Sequence, residues 1–263
     1  MKTNFVWTDL STFQVEAAVS FYRSVLGWDV SGEAGYMNCS AQGSPCAGIY
    51  EMPEFFQSIR MPSFWMTYIS VEDAAATAAR AAELGGKVEL EEETPRGRVA
   101  LICDPAGAGF TCYEGKELSA NRDSSIPGNW CWSELMVSDF NLVREFYEGI
   151  FGWKFRSAGQ DRYSILTSSG EEIGAVQVAE NEVKGDKEFW AVYFAGDDLE
   201  RVSASILEAG GSIEGIYEHE EGRQLLAYDS QGAAFFLLEK ITGATHSAVS
   251  AAPVVSSGKK RWR

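Results

Sequence analysis

The chain has 263 residues, of which 45% are hydrophobic and 23% charged, and its formal net charge is −16 at pH 7. This composition is typical of a globular protein with a sizeable core, it contains no apolar run long enough for a membrane span, and its excess of acids disfavours nucleic acid or anionic lipid as partners. The first residues lack the apolar core of a secretory signal, and the five cysteines form no CxxC pair. We therefore expect a cytoplasmic protein with reduced thiols and a small-molecule partner.

A strand, a helix and a glycine stop are predicted at the start of the chain. The segment NFVWTDL has β-type content and precedes QVEAAVSFYRSVLG, in which Val15, Val19, Tyr22 and Leu26 recur at helical spacing. Gly27 follows as the C-terminal stop. A second strand–helix unit, SFWMTYISV and EDAAATAARAAELGG, precedes two strands around the turn in RVALICDPAGAGFTCYE.

The second half of the chain repeats the first. FYRSVLGW returns as FYEGIFGW, and both Trp132 and Asp229 stand 125 positions after their counterparts, Trp7 and Asp104. One offset held over about 100 residues indicates a duplicated domain rather than a solenoid. Loop changes shift the register in between, where residue identity aligns two pairs: Tyr36 with Tyr163, and Gly48 with Gly174.

The repeat predicts the domain organisation. We expect a first domain at residues 1–118, a linker at 119–128, a second domain at 129–240 and a flexible C-terminal tail at 241–263. The linker is polar and contains a Pro-Gly pair, and the tail is rich in small residues with a basic end.

Four motifs recur in the same order in each half. They are FYRSVLGW, WMTYISVED, LGG and GRVALICDPAGAGF in the first half, and FYEGIFGW, WAVYFAGDD, AGG and GRQLLAYDSQGAAF in the second. The set resembles the vicinal oxygen chelate superfamily of glyoxalase I, bleomycin-resistance proteins and extradiol dioxygenases, over residues 5–116 and 129–240. The resemblance implies an α+β fold of two tandem glyoxalase-like domains, each of two paired βαβββ modules whose sheet curls around a cavity.

The resemblance also locates the positions that hold a metal in metal-dependent members of the superfamily. Spacing from the motifs puts three of them at Trp7, Met66 and Thr111, and their repeats at Trp132, Ala191 and Phe236. The fourth lies near Tyr50 and near Val176. None of the firmly placed residues offers imidazole, carboxylate or thiolate. The two histidines, His219 and His246, fall in a charged loop and in the tail. We therefore expect no chelated metal and no cofactor.

Strand alternation predicts which other side chains face the cavities. If Trp7 and Trp132 point inward, then so do Asp9 and Glu134. By the same parity Tyr68 accompanies Met66, Tyr193 accompanies Ala191, and four further tryptophans face the helices as core: Trp28, Trp65, Trp153 and Trp190. The carboxylates are candidate general bases, since burial raises a carboxyl pKa, and the two tyrosines are candidate proton donors. The competing interpretation makes the carboxylates capping or tethering groups.

Two functions remain open from the sequence. The chain is either a metal-independent lyase, isomerase or hydroxylase-like enzyme for a small aromatic or carbonyl compound, or a protein that sequesters a drug or metabolite without turnover. The candidate ligand contacts are Trp7, Met66, Thr111, Trp132 and Phe236. We expect two pseudo-equivalent cavities in one chain, which is a monomer or a homodimer. The first is favoured, because Thr111 keeps a hydroxyl near Asp9.

Overall fold

The computed structural model describes residues 3–33, 35–59, 61–219 and 222–240. The side chain of His219, all of His246 and the predicted tail lie outside these residues. The fold is α+β with two tandem domains, as the sequence predicts. Among the described residues, no helix is long and apolar enough to cross a membrane.

The first domain is one eight-stranded sheet with helices on one face. Its elements are β1 (Phe5–Thr12), α1 (Val15–Leu26), β2 (Asp29–Glu33), β3 (Tyr36–Ala41), β4 (Ser44–Glu51), α2 (Glu54–Ser58), β5 (Phe64–Ser70), α3 (Ala74–Glu83), β6 (Lys87–Thr94), β7 (Gly97–Cys103) and β8 (Gly109–Glu114). The strand order is β2-β3-β4-β1-β5-β8-β7-β6, so two βαβββ modules lie side by side and the sheet does not close.

The second domain repeats this arrangement. Its elements are β9 (Trp130–Val137), α4 (Phe140–Phe151), β10 (Lys154–Ser157), β11 (Arg162–Leu166), β12 (Glu172–Val178), α5 (Asn181–Lys184), β13 (Phe189–Gly196), α6 (Leu199–Glu208), β14 (Ser212–His219), β15 (Gly222–Tyr228) and β16 (Ala234–Lys240). The strand order β10-β11-β12-β9-β13-β16-β15-β14 matches that of the first sheet strand for strand.

Each sheet has a helix face and a second face that we call the cavity face. In the first sheet Trp7 lies opposite Tyr68, and Asp9 lies opposite Met66. Residues opposite each other on neighbouring strands share a face, so these four side chains lie together as predicted. Leu10, one step along β1, is fully buried in the core with the helix residues. The four tryptophans expected in the core are there: Trp28, Trp65, Trp153 and Trp190.

The repeated FY-x₄-GW motif builds the contact between the domains. The Tyr22 hydroxyl on α1 donates to Asp229 Oδ2 at 3.1 Å, and the Tyr147 hydroxyl on α4 donates to Asp104 Oδ2 at 2.9 Å. Gly27, which follows α1, has φ 68° and takes the left-handed conformation that ends the helix. The motif therefore occurs twice, and the tyrosine of each copy hydrogen-bonds the turn aspartate of the other domain.

The alignment by identity is wrong in the third and fourth strands of each half. Gly48 pairs with Asp9, whereas the residue that pairs with Glu134 is Ala175 and not Gly174. Counting outward from these pairs, Tyr36 corresponds to Arg162 rather than to Tyr163. Irregular pairing in both hairpins, after Cys39 and after Ile165, separates the true register from the identities.

Candidate functional site

Three neutral donors surround the Asp9 carboxylate on the cavity face of the first domain. Asp9 Oδ1 accepts from the Trp7 indole nitrogen at 2.7 Å and from the Tyr36 hydroxyl at 2.6 Å. The Tyr68 phenol lies beside the same carboxyl group and favours its charged form. The Asp9 side chain is buried, at 2% relative exposure. Both hydrogen bonds to Asp9 Oδ1 have the short length of charge-assisted hydrogen bonds.

The local sequence explains how a carboxylate fits here. Asp9 follows Trp7 by two residues on β1, so both side chains project from the same face. Gly48 lies opposite Asp9 on β4, and a Cβ there would overlap the Asp9 carboxylate oxygen and the Tyr36 hydroxyl. The absence of a side chain at Gly48 is therefore what gives this group its space.

One cation stands behind the first cluster. The Arg96 guanidinium lies 4.1 Å from the centroid of the Tyr36 ring, and its Nη2 donates to Asn38 Oδ1 at 2.8 Å. It acts on Asp9 across the ring as a minor Coulombic influence rather than as a hydrogen-bonded partner.

Burial raises the pKa of Asp9 above the ordinary value of 3.8, although the bonds from Tyr36 and Trp7, the nearby Tyr68 phenol and the charge of Arg96 oppose the rise. Burial, and then the charge of Asp9, also raise the pKa values of Tyr36 and Tyr68. The same two causes raise the pKa of Tyr50 to about 12. These phenols keep their protons over the physiological pH range and act as hydrogen-bond donors.

The second domain surrounds its carboxylate differently. Glu134 Oε1 accepts from Arg162 Nε at 2.9 Å in a buried salt bridge, and Glu134 Oε2 accepts from the Tyr193 hydroxyl at 2.7 Å. The Tyr193 ring stacks on Phe236, with centroids 4.6 Å apart. Trp132, the counterpart of Trp7, does not bond to Glu134. Its indole nitrogen is buried and has no hydrogen-bond partner among the residues that the structure describes.

The sequence locates part of this geometry. Met66, Thr111, Ala191 and Phe236 are buried on the cavity faces where parity puts them. Both carboxylates bond to side chains of their own sheet and not to helix ends. Residue patterns did not identify four further members of the two clusters: Tyr36, Gly48, Arg96 and Arg162. The third strand of each domain, which carries Tyr36 or Arg162, is too short for its hydrophobic pattern to show which side chains face the cavity.

The donors on the cavity faces do not fit a divalent metal. Around Asp9 they are indole, phenol, amide and thioether groups, whereas such metals prefer clusters of imidazole, carboxylate or thiolate. No group of three or more His, Cys, Asp or Glu side chains converges within the described ranges. The absence of metal in the purified protein stays a prediction.

Two open spaces, a cleft and a groove, are lined by neither Asp9 nor Glu134. A cleft of about 440 Å³ is lined by Trp132, Arg122 and Leu238 at one end of the second sheet. A groove of about 670 Å³ runs between α1 and β2–β3, past Val19, Arg23 and Met37, and touches none of the predicted residues.

Comparison with known proteins decides the family. A family model described as a glyoxalase-like domain matches residues 6–112. The "Putative glyoxylase CFP32" of Mycobacterium bovis is 32% identical over 249 residues, which cover 89% of this chain and 93% of that protein. The chain belongs to the glyoxalase-like family of the vicinal oxygen chelate superfamily.

The chain is also similar to a second curated protein and, in fold, to a solved structure. The anthracycline biosynthesis protein DnrV of Streptomyces peucetius is 28% identical over 258 residues, covering 89% of this chain and 92% of that one. The 2,3-dioxygenase LapB of Pseudomonas sp. KL28 superposes with a TM-score of 0.61 at 15% identity and covers 97% of both chains. The likeness to LapB concerns the fold alone.

Proposed function

We propose that the first domain binds a small aromatic or carbonyl-containing molecule at its cavity face, and that Asp9 exchanges a proton with it without a metal. The observation that carries the proposal is a buried carboxylate whose hydrogen-bond donors, Trp7 and Tyr36, are neutral, with the neutral Tyr68 phenol beside them. Such a group is poised for proton transfer, because its raised pKa makes the carboxylate a stronger base than an exposed aspartate.

The proposed chemistry is general acid–base catalysis. Asp9 takes a proton from a carbon next to a carbonyl, or from a hydroxyl group. The Tyr68 phenol, protonated because its pKa is raised, donates a hydrogen bond to the oxygen on which negative charge develops. Trp7, Met66 and Thr111 supply the ligand contacts. Apolar walls exclude water and strengthen each of these polar interactions.

The second domain is proposed as a supporting or ligand-holding unit. Glu134 already carries a buried counter-charge in Arg162, so it is less suited to accept a proton from a ligand. Trp132, Phe236 and Tyr193 offer aromatic contact area there instead. Because the scattered cysteines form no disulfide among the described residues, we place the protein in the cytoplasm, and each chain holds both sites whether it is a monomer or a homodimer.

Sequestration without turnover is the second candidate. The observation that favours it is the aromatic character of the first cavity face, where the Tyr36 and Tyr50 rings lie parallel, with an interplanar angle of 9°. Aromatic rings beside a carboxylate suit a flat or cationic guest through stacking and cation–π contacts.

Hydrogen–deuterium exchange separates the two candidates. We would incubate an aryl ketone such as phenylacetone with the protein in D₂O and follow loss of the α-proton signal by NMR. Exchange faster than in buffer is expected for the wild type, for Tyr193→Phe and for protein treated with a chelator. It is expected to be lost in Asp9→Asn.

Exchange that survives in Asp9→Asn would reject Asp9 as the base, and exchange abolished by the chelator, with about one metal per domain by elemental analysis, would reject the metal-free site. Binding that depends on Asp9, with no exchange of any ketone tested, would favour sequestration.

A further inference from the structure

Arg122, in the segment between the two sheets, sits in an aromatic box at the edge of the second domain. Its guanidinium carbon lies 4.9 Å from the Trp130 ring centroid, 5.2 Å from that of Phe5 and 5.8 Å from that of Trp132. These contacts stabilise the cation through the ring faces, but they leave the N–H edge of the guanidinium to be satisfied by other groups.

That edge is only partly satisfied. Nη1 donates to the Ile173 carbonyl oxygen at 2.8 Å. Nε and Nη2 are buried and have no hydrogen-bond acceptor in the described part of the chain. A buried charge without its acceptors is costly, which agrees with the lowered pKa of Arg122, about 10, caused chiefly by desolvation. Nε and Nη2 form the side of a guanidinium that pairs in parallel with the two oxygens of a carboxylate.

A ligand-sized space adjoins these donors. Arg122 and Trp132 both line the cleft of about 440 Å³, a volume within the range of small-molecule sites. The Trp132 indole nitrogen is another buried donor without an acceptor in the ranges described. Leu238 and Ile173 add apolar wall. Two unsatisfied donor groups thus converge beside one partly apolar cleft.

The surrounding charges restrict what the cleft takes. Glu172 lines it but pairs with Arg156 at 2.8 Å. Glu171 lines it as well, and its charge acts on Arg122 from a distance without bonding Nε or Nη2. Lys240 stands on the same rim. These acids would repel a dianion such as phosphate, whereas a monoanion with a flat apolar body fits both the guanidinium edge and the wall formed by Trp132, Ile173 and Leu238.

We propose that this cleft binds a small aromatic carboxylate, held in a bidentate pair by Arg122 Nε and Nη2 and by the Trp132 indole N–H. Because solvent does not reach these nitrogens, the ligand enters while the Trp132 ring is rotated outward, and the ring then returns so that its N–H donates to the bound carboxylate. Trp132 is suited to move, since it is half-buried and is the farthest of the three rings from the guanidinium. The site lies in the second domain and is independent of Asp9.

Calorimetric titration with benzoate tests the proposal, with benzamide as the uncharged probe of the same shape. Benzoate is expected to bind with a millimolar or tighter dissociation constant, and benzamide at least about tenfold more weakly. Arg122→Met is expected to lose benzoate binding, and Trp132→Phe to weaken it severalfold. Arg144→Met, which removes an exposed cation that does not line the cleft, and Asp9→Asn are expected to leave it unchanged.

A purely structural arginine would behave differently. The proposal predicts that Arg122→Met without ligand keeps or gains thermal stability, because an apolar side chain replaces an unsatisfied buried charge. If Arg122→Met fails to fold, Trp132→Phe together with the benzamide control decides the question. No benzoate binding by the wild type, equal binding of benzamide, or binding that persists in Arg122→Met would overturn the site.

Discussion

The two domains place a carboxylate at the same point of their central strand and then treat it in opposite ways. Asp9 is held by neutral indole and phenol donors, and its pKa is raised by burial. Glu134 forms a buried salt bridge with Arg162. One domain surrounds its carboxyl group with neutral donors alone, whereas the other pairs its carboxylate with a buried guanidinium.

The cause of the difference lies two strands away from the carboxylates. Tyr36 on β3 and Arg162 on β11 occupy equivalent registers, and so do Gly48 on β4 and Ala175 on β12. Gly48 makes room for a short aspartate with a phenol above it, while the longer glutamate reaches past Ala175 to the guanidinium. Two positions, one on the adjacent strand and one on the strand beyond it, therefore decide whether the shared arrangement carries a counter-charge.

The largest effect is expected when the salt bridge loses its acid. Glu134→Gln leaves the Arg162 charge buried without its carboxylate, and we expect a loss of about 3–5 kcal/mol in the free energy of unfolding, measured in urea. The double variant Glu134→Gln with Arg162→Met should recover much of that loss. If Asp9→Asn proved as destabilising as Glu134→Gln, the contrast between the two carboxylates would be wrong.

The second-largest loss of stability is expected when a methyl group is added at Gly48. Gly48→Ala pushes the added carbon against the Asp9 carboxylate and the Tyr36 hydroxyl, at a cost of about 1–3 kcal/mol. The Trp7 indole N–H resonance should shift in the NMR spectrum, because its acceptor moves. The matched control is Ala175→Gly, which should cost about 0.5–1 kcal/mol and leave that resonance in place. An unshifted resonance in Gly48→Ala would contradict the role given to Gly48.

Smaller and equal effects are expected at the contact between the domains, where the two halves are alike. Tyr22→Phe and Tyr147→Phe each remove a hydroxyl that donates to the turn acid of the other domain. We expect each to lower the free energy of unfolding by about 0.5–1.5 kcal/mol. If the two variants lost clearly different free energies of unfolding, measured by urea denaturation, the two contacts would not be energetically equivalent.

The smallest change at a single pH is expected for Asp9→Asn, because the amide oxygen still accepts from Trp7 and Tyr36. The variant should instead alter the pH dependence. Since burial raises the folded pKa of Asp9 above 3.8, the stability that its protonated form contributes is present below that value and is lost as pH rises through the folded pKa. Asp9→Asn should therefore gain stability relative to the wild type between acidic and neutral pH. A constant difference would contradict the raised pKa.

Sequence patterns sufficed for the long, regular parts of the molecule. The 125-residue offset between Trp7 and Trp132 gave the duplicated fold, and strand alternation placed Asp9 beside Trp7 and Glu134 beside Trp132. The sequence did not identify Tyr36 and Arg162 as equivalent positions. The irregular hairpins shift the register there by one residue, so that matching by residue identity aligns Tyr36 with Tyr163 instead. Arg122 was not identified either, since a polar connecting segment gives no sign of which rings it will pack against.

The reciprocal bonds Tyr22–Asp229 and Tyr147–Asp104 have the pattern of an isologous dimer interface, in which each partner offers the same patch to the other. A chain carrying only one such unit would need a second copy to bury its tyrosine helix, and its assembly would depend on protein concentration. Joining the two units makes the encounter intramolecular, so the pairing holds at any dilution. It also leaves each copy able to carry a different residue beside its carboxylate, Tyr36 in one and Arg162 in the other.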